Sequence, residues 1–324
     1  MSIAPPLFVV GCIRSGTTIL HEMLKRYFPS AIDIDDVDFE GRAFWQCRGF
    51  NIGSPRTGTR CDAYDGTTAT DEQKSEMRAH VRQRTSGDRH IVNKNPHLSN
   101  KIGLVNAVFP EARIVHLIRD DLALVASTKL RLLATYEGQN FYGTPFVHYW
   151  PEGATLPCWS CIPSGPARLG WRPLPRGLRR LLFGPQPPTL PHEDPVEFRR
   201  RHPDPTRYYP GVGFRRIPEY WLRVNANIVR QVEAAGIHRH YMALNYAELV
   251  GRTRETLDRI AAFVGVERTA SNDVPSSLDS SRQEKWRQDL TEEEQKCVAT
   301  VTEELAADAG LIRDHLPGPL FTRR

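Results

Sequence analysis

The chain has 324 residues, of which 25% are charged and 40% are hydrophobic, and its formal net charge at pH 7 is +5. This length is sufficient for a full α/β core, and the modest positive charge favours anionic ligands over nucleic acid as partners. The sequence contains no apolar run long enough to span a membrane, and residues 1–6 lack the features of a signal peptide. We therefore predict a cytoplasmic protein.

The cysteine pattern gives little support for a metal site. Cys158 and Cys161 form a C-x-x-C pair, but Cys47 and Cys61 are poorly spaced to supply the second pair of a structural zinc site. A zinc cluster is therefore the less favoured alternative. We expect reduced, partly buried thiols and no bound metal.

The first motif in chain order is a glycine-containing turn between a predicted strand and a predicted helix. Residues 7–10 are a short apolar run rich in β-branched side chains, and the apolar residues between 19 and 27 follow helical spacing. Unpaired amide groups at the start of a helix, together with the positive end of its dipole, favour binding of a phosphate or sulfate. The residues of this turn that we assign to anion binding are Arg14, Ser15, Gly16, Thr17 and Thr18.

The spacing of the turn is close to that of a nucleotide-triphosphate loop, G-x-x-x-x-G-K-[ST]. Gly11 and Gly16 have the required separation, but Thr17 stands at the lysine position and Arg14 lies within the loop. The lysine that binds β- and γ-phosphates is missing, whereas Arg14 can hold one anion through two hydrogen bonds. We therefore expect a ligand with a single 5′-phosphate-like group. The alternative is a tight strand-to-helix turn with an incidental arginine.

An acidic stretch, residues 33–42, follows the first predicted helix. We interpret its aspartates as a solvated acidic loop. Glu40 differs from them because Phe39, Phe44 and Trp45 flank it, and aromatic surroundings remove water from a carboxylate and make it a stronger base. Glu40 is therefore a candidate general base.

Two further predicted strands end in cationic side chains. Residues 89–96 predict a short strand that ends at Lys94, and residues 113–118 predict a strand that is followed by Arg119 and a helix. Successive strand–turn–helix units favour parallel strands. We therefore predict an α/β fold with a P-loop-like central parallel sheet flanked by helices.

The helix after Arg119 adds two groups that bind anions. Ser127 and Arg131 lie on this helix, so that together with Arg119 they can present two guanidinium groups and a hydroxyl to one dianion. The alternatives are a surface ion pair for Arg131 and an ordinary helix-surface position for Ser127.

Taken together, these motifs resemble those of sulfotransferases that use 3′-phosphoadenosine 5′-phosphosulfate (PAPS). The resemblance rests on residues 11–18, on Asn93-Lys94-Asn95-Pro96, and on Phe109-Pro110 followed by Ile118-Arg119-Asp120 and Ser127. Within that family the chain most resembles the tyrosylprotein sulfotransferase-like branch of bacterial type.

The resemblance implies two anion sites for the donor. One is a 5′-phosphosulfate site at residues 14–18, and the other is a 3′-phosphate site at Arg119, Ser127 and Arg131. It also implies that Lys94 lies near the phosphosulfate bond that breaks. The catalytic group would then consist of Glu40, Lys94 and Arg14.

The resemblance further implies a glutamate base after the first helix, for which Glu40 is the best match and His97 the competitor. It implies that Tyr246 lies near the adenine and that Lys285, with Trp286, belongs to a segment that folds over the nucleotide. The soluble aryl and steroid sulfotransferases have a loop lysine and a histidine base, and this chain has neither at the matching places.

The segment 138–218 differs from the rest of the chain in composition. Of the 25 prolines, 16 lie between positions 145 and 218, together with clustered arginines and many aromatic residues. We interpret the segment as an irregular insertion that forms an acceptor-binding lid within a single domain, 1–324. It separates a donor-binding core, 1–137, from the rest of the core, 219–324. The alternative is a surface embellishment.

The sequence therefore predicts an enzyme that transfers a sulfonate group in line from PAPS to a hydroxyl or amine, without a metal. The products are a sulfated acceptor and 3′-phosphoadenosine 5′-phosphate (PAP). The acceptor is a small molecule, a carbohydrate or a peptide, and assembly into a homo-oligomer stays open. Two other interpretations are a P-loop kinase-like phosphotransferase and a non-catalytic nucleotide-binding regulator.

Overall fold

The computed structural model describes residues 5–28, 30–36, 40–50, 52, 64, 66–85, 89–133, 214–266 and 274–316. Most of the predicted insertion lies outside these residues, as do Phe39, Cys158 and Cys161. The interpretation of the insertion as a lid therefore stays a prediction.

The centre of the described fold is a five-stranded parallel sheet with the order β2-β3-β1-β4-β5. The predicted parallel α/β architecture is therefore confirmed. The strands are β1 Leu7–Val10, β2 Ala31–Ile32, β3 His90–Lys94, β4 Arg113–Ile118 and β5 Tyr241–Asn245.

Helices follow most of these strands and cover both faces of the sheet. The first five are α1 Thr17–Tyr27, α2 Arg42–Gln46, α3 Asp71–Arg84, α4 Ile102–Val108 and α5 Asp121–Leu133. The later ones are α6 Arg216–Ala235, α7 Tyr246–Gly251, α8 Thr253–Val264, α9 Trp286–Asp289, α10 Glu292–Glu304 and α11 Ala306–His315. Short 3₁₀ turns lie at Pro96–Asn100, His238–His240 and Ser281–Gln283.

The alternation of side chains along β1 divides the core into two layers. Phe8 and Val10 pack in a layer with residues of α2 to α6, α10 and α11, whereas Leu7 and Val9 pack in a layer with α1, α7 and α8. All four side chains are fully buried. A strand covered by helices on both faces is apolar at every position, which explains why this run is hydrophobic without alternation.

Two buried histidines lie in the sheet. His116 on β4 is hydrogen-bonded on both ring nitrogens: Nε2 donates to Asn225 Oδ1 at 2.8 Å, and Nδ1 accepts from the Tyr241 hydroxyl at 2.8 Å. His90 at the start of β3 packs edge-on against Phe28, and neither of its ring nitrogens has a hydrogen-bond partner within the described part of the chain. Burial lowers the pKa of both imidazoles from 6.5 to about 4.

These two histidines predict a loss of stability in mild acid. A folded-state pKa below the unfolded value means that the unfolded chain binds more protons between about pH 6.5 and pH 4. The free energy of unfolding should therefore fall as the pH is lowered through this window, by up to about 3 kcal/mol for each histidine. His90→Phe should make the fall smaller, as measured by urea unfolding at a series of pH values.

His238→Phe is the matched control, because His238 is exposed. Its pH profile should parallel that of the wild type. Parallel profiles for His90→Phe and the wild type would contradict the prediction.

Candidate active site

The parallel register brings the ends of four strands to one edge of the sheet. Val9 of β1 pairs with Lys94 at the end of β3, and Val10 pairs with His116 of β4. At the other side of β4, Ile118 pairs with Asn245 at the end of β5. The residues that follow these strands are therefore neighbours in space, although they are far apart in sequence.

The loop between β1 and α1 is held by hydrogen bonds to later segments. The amide of Gly11 donates to Ser99 Oγ at 3.1 Å, and the Ser99 hydroxyl donates back to the Gly11 carbonyl at 3.0 Å. The amide of Ile13 donates to the Tyr220 hydroxyl at 3.3 Å. These hydrogen bonds therefore fix the loop against the turn Pro96–Asn100 and helix α6.

Two glycines allow the loop to approach its neighbours closely. A Cβ at position 11 would lie 2.5 Å from the Leu117 carbonyl oxygen, and a Cβ at position 16 would lie 2.4 Å from the Tyr246 ring. Gly16 also has a φ of 96°, and Arg14, with a φ of 70°, is a non-glycine residue in the left-handed region. No larger residue fits at either glycine without a shift of these neighbours.

The loop meets the physical requirements of an anion site. The amide of Leu20 donates to the Gly16 carbonyl, so the amides of residues 16–19 precede the first hydrogen bond of the α1 ladder. The first turn of α1 contains no acidic residue. In addition, Ser15 Oγ is buried and lacks a hydrogen-bond partner among the described residues. These groups suit a phosphate or sulfonate oxygen.

A carboxylate and an ammonium group pair at the end of β3. Lys94 Nζ lies 2.7 Å from Glu40 Oε1, and Arg42 Nε lies 3.8 Å from Glu40 Oε2. The Lys94 side chain is 4% exposed and that of Glu40 is 18% exposed. Glu40 is therefore close to two cations, and its side chain is partly accessible to solvent.

The aromatic neighbours predicted for Glu40 have a different role. Phe44 and Trp45 are buried in the core, where both rings pack against Phe109.

The competing candidate base, His97, lies in the turn Pro96–Asn100 and is only 2% exposed.

A second cationic cluster lies beside the loop. Arg14 Nε donates to Ser127 Oγ at 3.3 Å, and an Arg119 guanidinium nitrogen donates to the Arg14 carbonyl at 3.3 Å. The Arg119 guanidinium also lies 4.9 Å from the centre of the Tyr246 ring. The structure thus brings together Arg14, Ser127, Arg119 and Tyr246. Arg131 lies in α5, and its side chain is outside the described residues.

The segment that contains Lys285 is anchored to the helix that contains Ser127. Lys285 is exposed, and Trp286 beside it is buried in the core. Lys129 of α5 forms a buried ion pair with Glu294 at 2.6 Å and donates to the Asp289 carbonyl at 3.0 Å. This places the Lys285 segment next to α5, whereas its role toward a nucleotide stays a prediction.

The interpretation of the aspartates at 33–36 as a solvated loop is wrong for two of them. Asp33 contacts His21 Nε2 at 2.8 Å and Lys25 Nζ at 2.5 Å. Asp35 is 8% exposed and accepts a hydrogen bond from the Phe44 amide at 2.9 Å. These carboxylates therefore join α1 and α2 to the loop after β2, a role that the acidic pattern alone does not indicate.

Sequence reasoning also missed Ser99, Tyr220 and Asn95, which hold the loop and the Glu40 backbone. Asn95 Nδ2 donates to the Glu40 carbonyl oxygen at 2.7 Å. The only local signal was the position of Asn95 directly after a strand end. The contacts of Ser99 and Tyr220 with the loop have no local signal at all.

Two features are absent from the described part of the chain. Within the described ranges, no group of three or more His, Cys, Asp or Glu side chains is arranged to hold a metal ion. Among the same residues, none of the helices combines the length and the apolar character needed to cross a lipid bilayer.

The parallel sheet, the glycine loop at its edge and the cationic side chains around it define an α/β protein with a site that suits an anionic ligand. Residues 5–156 match the model of the Sulfotransferase family. The match does not separate the branches of the family, so the tyrosylprotein sulfotransferase-like branch stays a prediction. No curated protein sequence matches the chain.

Several solved sulfotransferase structures align with the chain. A sulfotransferase domain from the Synechococcus PCC 7002 olefin synthase aligns with a TM-score of 0.45 and 16% identity, over 93% of this chain and 94% of that one. A sulfotransferase domain from the curacin biosynthetic pathway aligns with a TM-score of 0.46 and 12% identity, over 94% and 99% of the two chains.

A third similar structure is a sulfotransferase from Alicyclobacillus acidocaldarius, with a TM-score of 0.45 and 14% identity, over 96% of this chain and 94% of that one. At these TM-scores and identities, the alignments carry no conclusion about activity.

The close contact at Gly16 predicts a stability difference between two glycine variants. Gly16 and Gly236 have φ values of 96° and 64°, so alanine at either position incurs the left-handed backbone penalty of about 1–2 kcal/mol. A methyl group at position 236 would have no neighbour within 4 Å among the described residues, whereas at position 16 it would meet Tyr246. Gly16→Ala should therefore lower the melting temperature more than Gly236→Ala does.

Thermal unfolding followed by circular dichroism measures both changes. Equal decreases for the two variants would show that the ring contact at Gly16 adds no constraint.

Proposed function

We propose that this chain is a sulfotransferase that uses PAPS as its donor and transfers the sulfonate group, in line, to a hydroxyl or amine of an acceptor. One observation carries the proposal: the Lys94–Glu40 pair, at 2.7 Å, lies at the same sheet edge as a glycine loop that lacks the Walker lysine. The family match of residues 5–156 supports the same reaction class.

The loop and the second cationic cluster are proposed to bind the donor. The donor supplies an activated sulfonate group on a phosphate. The amides of residues 16–19 and the buried Ser15 hydroxyl suit the 5′ end, because they are donors without acceptors in the α1 ladder. Arg119 and Ser127, with Arg131, would bind the 3′-phosphate. Tyr246 packs on Gly16. We propose that Tyr246 borders the adenine of the nucleotide and that the segment of Lys285 folds over the nucleotide.

The Lys94–Glu40 pair is proposed to handle the proton and the developing charge. A carboxylate accepts the acceptor's proton as it attacks, while an ammonium group and a guanidinium group stabilise negative charge that develops at the leaving phosphate. Glu40 suits the first role because its side chain is 18% exposed, whereas His97 is only 2% exposed. Lys94 and Arg14 suit the second.

A divalent metal is not required by the charge balance of this reaction. A transferred sulfonate carries one negative charge fewer than a terminal phosphoryl group, so less charge has to be neutralised during transfer. Fixed cations from the protein, Arg14, Lys94 and Arg119, supply this compensation in the proposed mechanism.

The direct test is transfer of label from radiolabelled PAPS to a panel of phenols, aliphatic alcohols, sugars and peptides, in the presence of EDTA. We expect sulfated product and PAP. ATP turnover that requires magnesium, without sulfate transfer, would identify a kinase-like enzyme. Binding of PAP without transfer to any member of the panel would identify a nucleotide-binding regulator.

The 3′-phosphate assignment predicts that PAP binds far more tightly than AMP. Arg119→Ala should reduce this preference, because each hydrogen bond from a charged group to a dianion contributes roughly 1.5–3 kcal/mol. Calorimetric titration with both nucleotides measures the ratio of affinities. Arg113→Ala, at the opposite end of β4, is the matched control and should leave the ratio unchanged. Equal affinities of the wild type for PAP and AMP would overturn the assignment.

The base assignment predicts different effects of Glu40→Gln and His97→Ala. A general base contributes roughly 10²–10⁴-fold, so Glu40→Gln should lower kcat on that scale with an aliphatic alcohol, while the affinity for PAP changes little. His97→Ala should have a smaller effect, because His97 is buried. A large loss for His97→Ala together with a small one for Glu40→Gln would reverse the assignment.

A further inference from the structure

We propose that Asn95 is a positioning residue that fixes the backbone of Glu40 and thereby keeps its carboxylate at the sheet edge. This inference rests on the proposed function, in which Glu40 is the general base. It assigns a role to an amide side chain that contacts neither reacting group.

Asn95 connects three segments of the active site. Its own amide donates to the Val9 carbonyl of β1 at 3.2 Å, so its backbone is joined to the strand that leads into the anion loop. Its side-chain Nδ2 donates to the Glu40 carbonyl at 2.7 Å, and its Oδ1 accepts from the His97 amide at 2.8 Å. Because both side-chain partners are backbone groups, they fix which end of the carboxamide is the donor.

The carboxamide is well protected from water. Asn95 is fully buried, and hydrogen bonds between buried groups are costly to leave unmade, roughly 1–3 kcal/mol for one unsatisfied partner. The position of the Glu40 carbonyl is therefore tied to β3 and, through Val9, to the strand that precedes the anion loop.

Residues next to Asn95 and Glu40 also restrict the turn formed by Glu40 and Gly41. Gly41 has a φ of 67°, and a Cβ at this position would lie 2.3 Å from Ile34 Cγ2 and 2.8 Å from Asn93 Nδ2. Three consecutive residues, 93–95, thus contact the Glu40–Gly41 turn: one through close packing, one through the ion pair and one through the backbone hydrogen bond. The turn cannot move away from β3 without loss of the hydrogen bond from Asn95 to the Glu40 carbonyl.

Small displacements of a catalytic side chain affect the reaction rate. Displacement of a catalytic group by about 1 Å can cost on the order of 10²-fold in rate. The ion pair with Lys94 fixes the end of the Glu40 side chain, but its long side chain still has several rotatable bonds. The backbone bond to Asn95 removes movement at the base of that side chain, so the two interactions act on different parts of one residue.

Asn95→Ser separates this role from the capping of the turn Pro96–Asn100. Serine is as good an N-cap as asparagine, so it can still accept from the His97 amide, but it is too short to reach the Glu40 carbonyl. With an aliphatic alcohol, we expect kcat to fall by about tenfold or more. The affinity for PAP should stay within about twofold of the wild-type value. Asn95→Thr, which keeps a hydroxyl group for the cap and is also too short to reach the Glu40 carbonyl, should behave in the same way.

Two readouts distinguish positioning of a base from a general structural effect. With an acidic phenol as acceptor, which needs little help from a base, Asn95→Ser should have only a small effect on kcat. In a double-mutant cycle, Asn95→Ser should add little to the loss already caused by Glu40→Gln. Equal losses with both acceptors, or a full additional loss in the Glu40→Gln background, would overturn the inference.

The outcomes also separate this inference from the proposed function. Absence of sulfonate transfer by the wild type to every acceptor would refute the proposed function itself. Transfer to the aliphatic alcohol that is unchanged in Glu40→Gln would refute the base assignment and the inference with it. Transfer that depends on Glu40 and is unchanged in both Asn95 variants would refute the inference alone.

Discussion

The parallel pairing of β1 with β3 and β4 is the constraint on which the candidate site depends. A parallel sheet aligns the carboxyl ends of its strands, and here that alignment brings the anion loop, Lys94 and Arg119 to one edge. The strands themselves are buried on both faces, so a register shift of one residue would exchange the side chains between the two core layers and disrupt the packing of both. The same packing energy that forms the core therefore also sets the distances between the residues to which we assign the chemistry.

The charges at this edge have a consistent arrangement. Cationic side chains surround a loop whose helix begins without an acidic residue, and the carboxylate of Glu40 among them is paired with Lys94 at 2.7 Å. An unpaired ammonium group as buried as that of Lys94 would be costly, because burial disfavours the charged form. Glu40 thus compensates the buried charge of Lys94, and in the proposed function an anionic donor would compensate the same positive charge.

The fold and the loop were predictable because their signals are local. An apolar run, two glycines and a helical period identify β1, the loop and α1, and the same logic places Arg119 after β4. The partners of Glu40 were not predictable, because Lys94 is 54 positions away in sequence and the contact depends on the order of strands in the sheet. The role predicted for the aromatic residues near Glu40 in sequence was wrong for the same reason. Adjacency in sequence does not show that Phe44 and Trp45 face the core.

The two proposed donor subsites are connected through Arg14. Its carbonyl accepts from the Arg119 guanidinium and its own guanidinium donates to Ser127, so a residue of the 5′ loop contacts both described members of the predicted 3′ site. Residues in one hydrogen-bond network are not energetically independent, and a substitution at Arg119 also removes a contact of the loop backbone. The total affinity for a nucleotide therefore contains contributions from both subsites that cannot be separated. A ratio of affinities for two nucleotides that differ only in the 3′-phosphate cancels the shared contribution, because both ligands meet the same altered loop.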